Sequence, residues 1–554
     1  MFRSTERSNI FVTKSSFDYI RLNNGFYIDK TREIYNSLLI GGNEYYFLVR
    51  PRRFGKSLLC STLSNLFGGY SKRVLYEDLW IGRNSVWDFE KEEHPVIHLD
   101  MSKVAGADSN VHNLKIKVKS MLGKVARSAG VKLNCDKEGP IELFLQELIW
   151  SLEEKYNKPV VIIIDEYDKP ILDLIDEPEH MEAVRKSLQS FYSVLKSEEA
   201  NLRLVFITGL YKFTEISMFS TLNNLRDISL KLSAGTLVGY TESEIKEYFG
   251  DHIQAFKSKL NITDDDVLMT ELRQRYNGYR FGLDTASGEI SEPIYNPFAV
   301  NYVFQDLEFS DEWSLSGSAS VLSKKLIEHG YSYESMLTTS VDHLKSSCKP
   351  NEMSLTSLMY YGGYATINKY DKVTNDLYLK IPNKSINKYL ARDYLRTKFS
   401  ISDITAFDRA VKKVHDVMTG TPINEMDSKI TEITKLLDDV LNFYVYEAMK
   451  DEGQFRNVMD SMFKFRFGDV AQEIQTKNGR IDTVITEKSR VFIIEYKYNQ
   501  TSSSALQQIK KKEYYGQYLS KNLPILLFGI SLRRNSKSKN RYIEISYDMI
   551  NNNK

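Results

Sequence analysis

Three stretches of this 554-residue chain carry side chains that could act on phosphate esters. The first is Gly55-Lys56-Ser57, which follows the apolar run Tyr45 to Val49 and precedes the helix-forming Leu58-Leu59. A strand–turn–helix of this kind holds phosphate oxygens on backbone N–H groups at the helix N-terminus; Lys56 reaches the terminal phosphates and Ser57 can ligate Mg²⁺. Where the full loop pattern has its first glycine, this chain has Arg50, and Pro51 supplies no N–H. The arginines of the loop, Arg50 and Arg53 among them, are therefore expected to contact phosphate themselves. The second stretch is Val160 to Ile164 followed by Asp165-Glu166. At the end of a buried strand, Asp165 can hold Mg²⁺ through water and Glu166 can polarise an attacking water. The run Arg203 to Ile207 ends in Thr208, a hydroxyl in position to sense a γ-phosphate.

The third stretch is C-terminal. Asp482 opens one apolar run and Glu495 closes the next, 13 residues later, with Lys497 two positions beyond. That gap fits two antiparallel strands joined by the polar turn Glu487-Lys488-Ser489, and alternation puts Glu495 and Lys497 on one face. Asp482 and Glu495 can then converge on one divalent cation, and hard carboxylate ligands suit Mg²⁺ or Mn²⁺. Such a cation lowers the pKa of bound water, and Lys497 can orient that water or stabilise the transition state.

The elements that must position these groups follow from the apolar pattern. Residues 45–235 alternate short branched apolar runs with helix-length stretches such as Pro140 to Tyr156, the signature of a parallel sheet covered on both faces. Residues 236–400 read as mainly helical. Within them, Met353 to Asn383 reads as a helix and a β-hairpin, the outline of a winged-helix unit, with packing within the lid as its expected role. From 452 the expected order is helix, strand, strand, helix, strand. Charge is balanced, 74 Lys and Arg against 73 Asp and Glu, so no global field announces a nucleic-acid or membrane partner. Residues 501–554 alone carry ten basic and three acidic residues, a basic surface that fits phosphates if the adjoining domain acts on nucleic acid. Cys60, Cys135 and Cys348 lie too far apart for a disulfide framework or a zinc site, and the eight histidines lack ligand spacing. The absence of an apolar N-terminal run or a bilayer-length segment points to a cytoplasmic protein.

Phe26-Tyr27-Ile28-Asp29-Lys30-Thr31, Arg50 to Ser57, Ile164 to Pro170, Asn223-Asn224-Leu225, Tyr276 to Phe281 and Tyr295 to Phe298 together resemble the AAA-ATPase-like proteins of bacteria and their mobile elements. The resemblance covers about residues 9 to 300, implies ATP binding, and makes Arg50 in place of glycine usual. Residues 440–530 resemble the PD-(D/E)XK nuclease domain that often ends such chains. That resemblance implies Glu452 as the helical acid of the metal site, Asp482 and Glu495 as metal carboxylates, and Lys497 as the active-site lysine. It also implies Gln508 and Tyr514 as supporting residues, and Glu473 matches a position often acidic. The expected architecture is α/β and multidomain: a P-loop ATPase core (9–235), a helical lid with a winged-helix element (236–400), a helical connector (401–440), a small restriction-endonuclease-like α/β domain (441–535) and a basic tail (536–554). The expected function is an ATPase coupled to an Mg²⁺-dependent nuclease, with DNA favoured over RNA. The rival is a nucleotide switch whose C-terminal domain binds nucleic acid without cutting it.

Overall fold

Five short strands build the first sheet: β1 (Glu44–Val49), β2 (Val96–Asp100), β3 (Val160–Asp165), β4 (Leu202–Gly209) and β5 (Leu225–Asp227). They run parallel in the order β2-β3-β4-β1-β5. In β3 every residue is buried, and in β1 and β4 nearly every one, which is why these strands read as unbroken apolar runs rather than alternating ones. The covering helices include α1 (Lys56–Leu66), α2 (Val111–Ala129), α3 (Ile141–Tyr156) and α4 (Pro178–Ser197). α2 illustrates the local logic. Leu114, Val118, Leu122 and Ala126 recur every fourth residue on its buried face, the Asn110 side chain accepts the Asn113 N–H at 2.9 Å, and Gly130 ends it in a left-handed conformation.

The computed structural model describes residues 9–41, 44–104, 106, 110–136, 139–212, 224–310, 322, 337–346, 353–445, 448–467, 469–535 and 540–550. Asn223 and Cys348, named above, lie outside them, as do three of the ten basic residues counted in 501–554, Lys537, Lys539 and Lys554. The described residues divide into two compact units, one ending at Asn387 and one starting at Lys388 and including Leu322. In the first unit, α5 (Leu355–Gly362) leads into the hairpin β7 (Thr366–Asp371) and β8 (Asp376–Lys380), as expected. A further short strand, β6 (Thr338–Ser340), completes a sheet in the order β6-β8-β7. This element packs on the phosphate-loop region. A Cβ at Gly363 (φ +81°) would stand 2.8 Å from Pro51 Cβ, and the Lys212 ammonium donates to the Lys345 carbonyl.

The second unit is built on α6 (Ile404–Gly420), α7 (Met426–Leu441), α8 (Glu452–Arg466) and α9 (Ser502–Lys511) around a mixed sheet. Its strands are β9 (Asp469–Thr476), β10 (Gly479–Thr486), β11 (Val491–Tyr498), β12 (Ile525–Arg534) and β13 (Arg541–Ile550), in the order β13-β12-β11-β10-β9. Only β11 and β12 pair in parallel. Three expectations are corrected here. Residues 401–440 are not a connector: Phe407, Val411, Val414, Ile433 and Leu437 share one core with Phe492, Ile494 and Phe528 of the sheet. Residues 541–550 are not a tail but a strand paired antiparallel with β12 over all ten of its residues, and the basic character of this stretch is partly neutralised by Arg533–Glu544 and Lys510–Asp548 pairs. The lid also ends earlier than residue 400, since residues from Lys388 onward belong to the second unit.

Candidate functional site

β1 delivers the chain to a turn whose two sharpest bends are Arg53 (φ +66°) and Gly55 (φ +94°), and α1 begins at once with Lys56. The left-handed angle is what requires glycine at 55. Lys56 is buried, and its ammonium donates to the carbonyls of Arg50 (2.9 Å) and Pro51 (3.0 Å). Burial pushes its pKa down, while Asp165, Glu166 and Asp168 pull it up. Asp165 is also buried; burial raises its pKa and a hydrogen bond from Ser57 opposes that rise. Glu166 takes a left-handed backbone conformation (φ +51°), uncommon for a side-chain-bearing residue and a mark of functional sites. A cavity of about 590 Å³ lies over the loop. Arg53, Gly55, Lys56, Ser57 and Glu166 line its polar end, and Phe26, Ile28, Leu237 and Tyr240 are among its apolar walls.

Two sequence expectations do not hold at this site. Arg50 does not face phosphate: it is 1% exposed, donates to the carbonyls of Val49, Ser229 and Ala234 at 2.7–2.9 Å, and lies over the Phe281 ring. Burial pulls its pKa down to about 10. Thr208 is fully buried and donates to the Leu48 carbonyl at 2.7 Å, so its hydroxyl is spent inside the sheet and does not line the cavity. Arg53 does line it, with its guanidinium 4.0 Å from the Phe298 ring centre. Asp168 was not anticipated. Its carboxylate accepts the N–H groups of Leu210 (2.9 Å) and Tyr211 (2.7 Å), tying the acidic turn after β3 to the end of β4, and burial pushes its pKa up to about 6. The repeated acids in Asp165-Glu166-Tyr167-Asp168 were the available signal.

In the second unit β10 and β11 form the expected antiparallel pair, and the ladder through Thr483 and Ile494 brings Asp482 and Glu495 side by side. Asp482 accepts the Tyr496 N–H at 2.9 Å. Glu495 accepts from the Gln508 amide of α9, and its other oxygen, Oε2, is buried with no hydrogen-bond partner. Burial foremost, then the charge of Asp482, pushes the Glu495 pKa up to about 8. Lys497 Nζ stands 3.6 Å from both Glu495 Oε1 and Glu452 Oε1. An orphaned carboxylate oxygen beside a second carboxylate is a donor set that fits a hard divalent cation. Among the described residues no group of three or more His, Cys, Asp or Glu gathers to hold an ion. Glu452 is accordingly brought to Lys497 rather than into the carboxylate pair, and water would complete any coordination there.

Glu473 lies one strand out, on β9, and pairs with Arg456 (2.9 Å) and Arg480 (3.2 Å). Tyr514 sits in the core on the α9 side of the sheet, near Gly479, and supports packing rather than the carboxylates. Three residues went unremarked in the sequence. Arg456 spans Glu473 and Asp482 (3.3 Å). Asp460, fully buried, accepts from Thr483, from Gln472 (2.6 Å) and from the Tyr496 hydroxyl (3.1 Å). Tyr496 thereby links Asp482 to Asp460. Glu452, Arg456 and Asp460 recur every fourth residue on α8, a stripe visible in the sequence once α8 is known to face β10 and β11.

Residues 12–219 match the AAA-ATPase-like family, described as Predicted AAA-ATPase, and residues 450–542 match the PD-(D/E)XK nuclease superfamily. A curated relative, "Uncharacterized protein in vnfD 5'region" of Azotobacter chroococcum mcd 1, is 30% identical over 525 residues, covering 93% of this chain and 94% of its own length. The solved Aeropyrum Pernix ORC2 protein (ADPNP-ADP complexes) aligns at 10% identity over 69% of this chain and 92% of that one. Its TM-score of 0.17 is too low to carry an argument. With a phosphate loop and acidic strand end in one unit and a carboxylate pair with its lysine in the other, the chain belongs to the AAA-ATPase-like family and carries a C-terminal domain of the PD-(D/E)XK nuclease superfamily.

Proposed function

We propose that the first unit binds and hydrolyses ATP and that the second hydrolyses phosphodiester bonds of nucleic acid, DNA before RNA, with Mg²⁺ or Mn²⁺ at Asp482 and Glu495. The observation that carries the nuclease reading is Glu495 Oε2, a buried oxygen without a partner next to a second carboxylate and 3.6 Å-range lysine contacts. A bound cation would supply Lewis acidity and a water of lowered pKa. The chain's own groups do the rest. The Tyr496 N–H and the Gln508 amide fix the two carboxylates. Lys497, steadied by Glu452, donates hydrogen bonds to the attacking water or to the oxygens that gain charge in the transition state. In the first unit Lys56 exchanges its loop carbonyls for the β- and γ-phosphates, Ser57 and Asp165 hold the nucleotide's Mg²⁺, and Glu166 polarises the attacking water. The apolar end of the cavity takes the base.

The test is incubation of the full chain with linear DNA, circular DNA and RNA, with Mg²⁺, with and without ATP, beside Lys56→Ala, Glu166→Gln, Asp482→Ala, Glu495→Ala and Lys497→Ala. Asp482→Ala and Glu495→Ala are expected to abolish cleavage and to leave ATP affinity intact. Lys497→Ala is expected to lose cleavage and keep most metal binding, because a protonated lysine is not a ligand. Lys56→Ala loses nucleotide binding, and Glu166→Gln keeps binding but loses hydrolysis. Cleavage at wild-type rates in both carboxylate variants would refute the site assignment. A wild type that binds nucleic acid and cuts none would put the nucleotide-switch reading first.

A further inference from the structure

The carboxylate pair is accompanied by a cation that the chemistry above leaves without a task. Arg456 projects from the second turn of α8. One guanidinium nitrogen, Nη1, stands 3.3 Å from Asp482 Oδ1, and the other, Nη2, 2.9 Å from Glu473 Oε1. The two anions differ in kind. Asp482 is a nearly buried carboxylate of the pair that suits a divalent ion. Glu473 is half-exposed, 47% for its side chain, and already shares Arg480. Glu473 also holds a left-handed backbone angle (φ +49°) in the middle of β9, where an extended residue is the norm. A strained residue inside a strand persists only when its surroundings hold it there, and the interaction it makes here is with Arg456 and Arg480.

Charge balance makes the arrangement intelligible. Glu452, Glu473, Asp482 and Glu495 face Arg456, Arg480 and Lys497 across this site. A divalent cation entering between Asp482 and Glu495 would meet the Arg456 guanidinium at short range, where like charges repel strongly and solvent screens little. Arg456 need not leave the protein to relieve this. Its shorter contact already lies on Glu473, so a small change of its terminal torsions frees Asp482 and keeps one ion pair.

Resting on the assignment of Asp482 and Glu495 as cation ligands, we propose that Arg456 is a positioning residue that stands in for the divalent cation at Asp482 and withdraws to Glu473 when the cation binds. It keeps the carboxylate pair in register while the site is metal-free, and Glu473 is the receiver that makes withdrawal possible.

The measurement is Mn²⁺ binding to the full-length protein by electron paramagnetic resonance titration, without nucleotide or nucleic acid, at fixed pH and salt. Binding that persists in Asp482→Ala is subtracted, so that any ion at the phosphate-loop site is not counted. Arg456→Gln removes the competing charge and is expected to tighten Asp482-dependent Mn²⁺ binding about five- to tenfold. Glu473→Gln removes the receiver and is expected to weaken it by a similar factor. In the Arg456→Gln, Glu473→Gln double variant the effect of Glu473→Gln should vanish, because the residue it acts through is gone. Melting curves of each variant identify any that fail to fold, and Arg456→Lys, which keeps the charge but cannot span both carboxylates, is the substitute for a misfolded Arg456→Gln. With Arg456→Lys the expected result is Mn²⁺ binding no tighter than wild type and a diminished Glu473→Gln effect. The proposal is overturned if Arg456→Gln leaves Mn²⁺ affinity unchanged or lowers it, or if Glu473→Gln acts equally in both backgrounds. Wild-type binding that does not depend on Asp482 at all would instead refute the ligand assignment itself, and this proposal with it.

Discussion

Glu495 carries the most informative titration in the molecule. Its folded-state pKa, pushed up to about 8 by burial and by Asp482, exceeds its ordinary value of 4.5. The folded protein therefore holds this proton more tightly than the unfolded chain does. Its contribution to stability is complete below pH 4.5 and is lost as the pH rises through about 8. In metal-free protein, Glu495→Gln should flatten the decline in melting temperature across that window, measured in chelator. A divalent cation, which needs the ionised carboxylate, should bind more tightly as the pH rises toward 8 and should release protons on binding. Equal slopes for wild type and Glu495→Gln would show that this carboxyl does not titrate as described. The same residue was legible in the sequence because alternation along a strand fixes the face of Glu495 and Lys497, although the turn, 487–490, is one residue longer than the three polar residues Glu487-Lys488-Ser489 suggest. Arg50 was not. Its loop position suggests phosphate, but its direction is set by the carbonyls of Ser229 and Ala234, 179 and 184 residues away, and by the Phe281 ring.

Helix α8 is the element on which the second unit's chemistry leans. Its stripe of charged residues, half-exposed at Glu452 and buried at Asp460, places Glu452 at Lys497, Arg456 at Asp482, and Asp460 beneath Tyr496, whose N–H fixes Asp482. Asp460→Ala would leave the Thr483 and Tyr496 hydroxyls and the Gln472 amide without their acceptor, at roughly 1–3 kcal/mol for each donor left buried and unpaired. The expected result is a stability loss of about 3 kcal/mol in denaturant titration, with cleavage falling through displaced Asp482, and with Asp460→Asn recovering part of both. A variant as stable as wild type would mean that water or a neighbour replaces the carboxylate. Legibility also varied by element. β3, β10 and β11 were readable because each carries a buried apolar run, Val160 to Ile164, Val484-Ile485 and Val491 to Ile494, with the acids Asp165, Asp482 and Glu495 beside it. β9 and β13 were missed because they lie at the sheet's edges, where one side of the ladder is open and Gln472, Glu473, Gln475, Glu544 and Asp548 interrupt the pattern. Their existence depends on partners, β10 and β12, rather than on their own composition.

At the scale of the whole molecule, the two compact units hold the two proposed sites separately, and each should tolerate loss of the other. Within the first unit, one contact sets a mechanical relation between parts that differ in task. The hairpin element meets the phosphate loop with no clearance at Gly363: the missing side chain is the space that Pro51 occupies. Two surfaces in contact through a residue without a side chain behave as a feeler gauge with no play, so any displacement of the loop by an incoming nucleotide would be expected to pass to the hairpin rather than be absorbed. Gly363→Ala would insert a methyl group 2.8 Å from Pro51 Cβ at a backbone angle that alanine resists. The expected outcome is weaker ATP binding, read by fluorescence titration with a nucleotide analogue, although residue 363 lies outside the cavity and touches no phosphate-binding group. Unchanged affinity would mean that the loop moves without its neighbour. If the coupling holds, the hairpin is a dial that reads the occupancy of the cavity through Pro51.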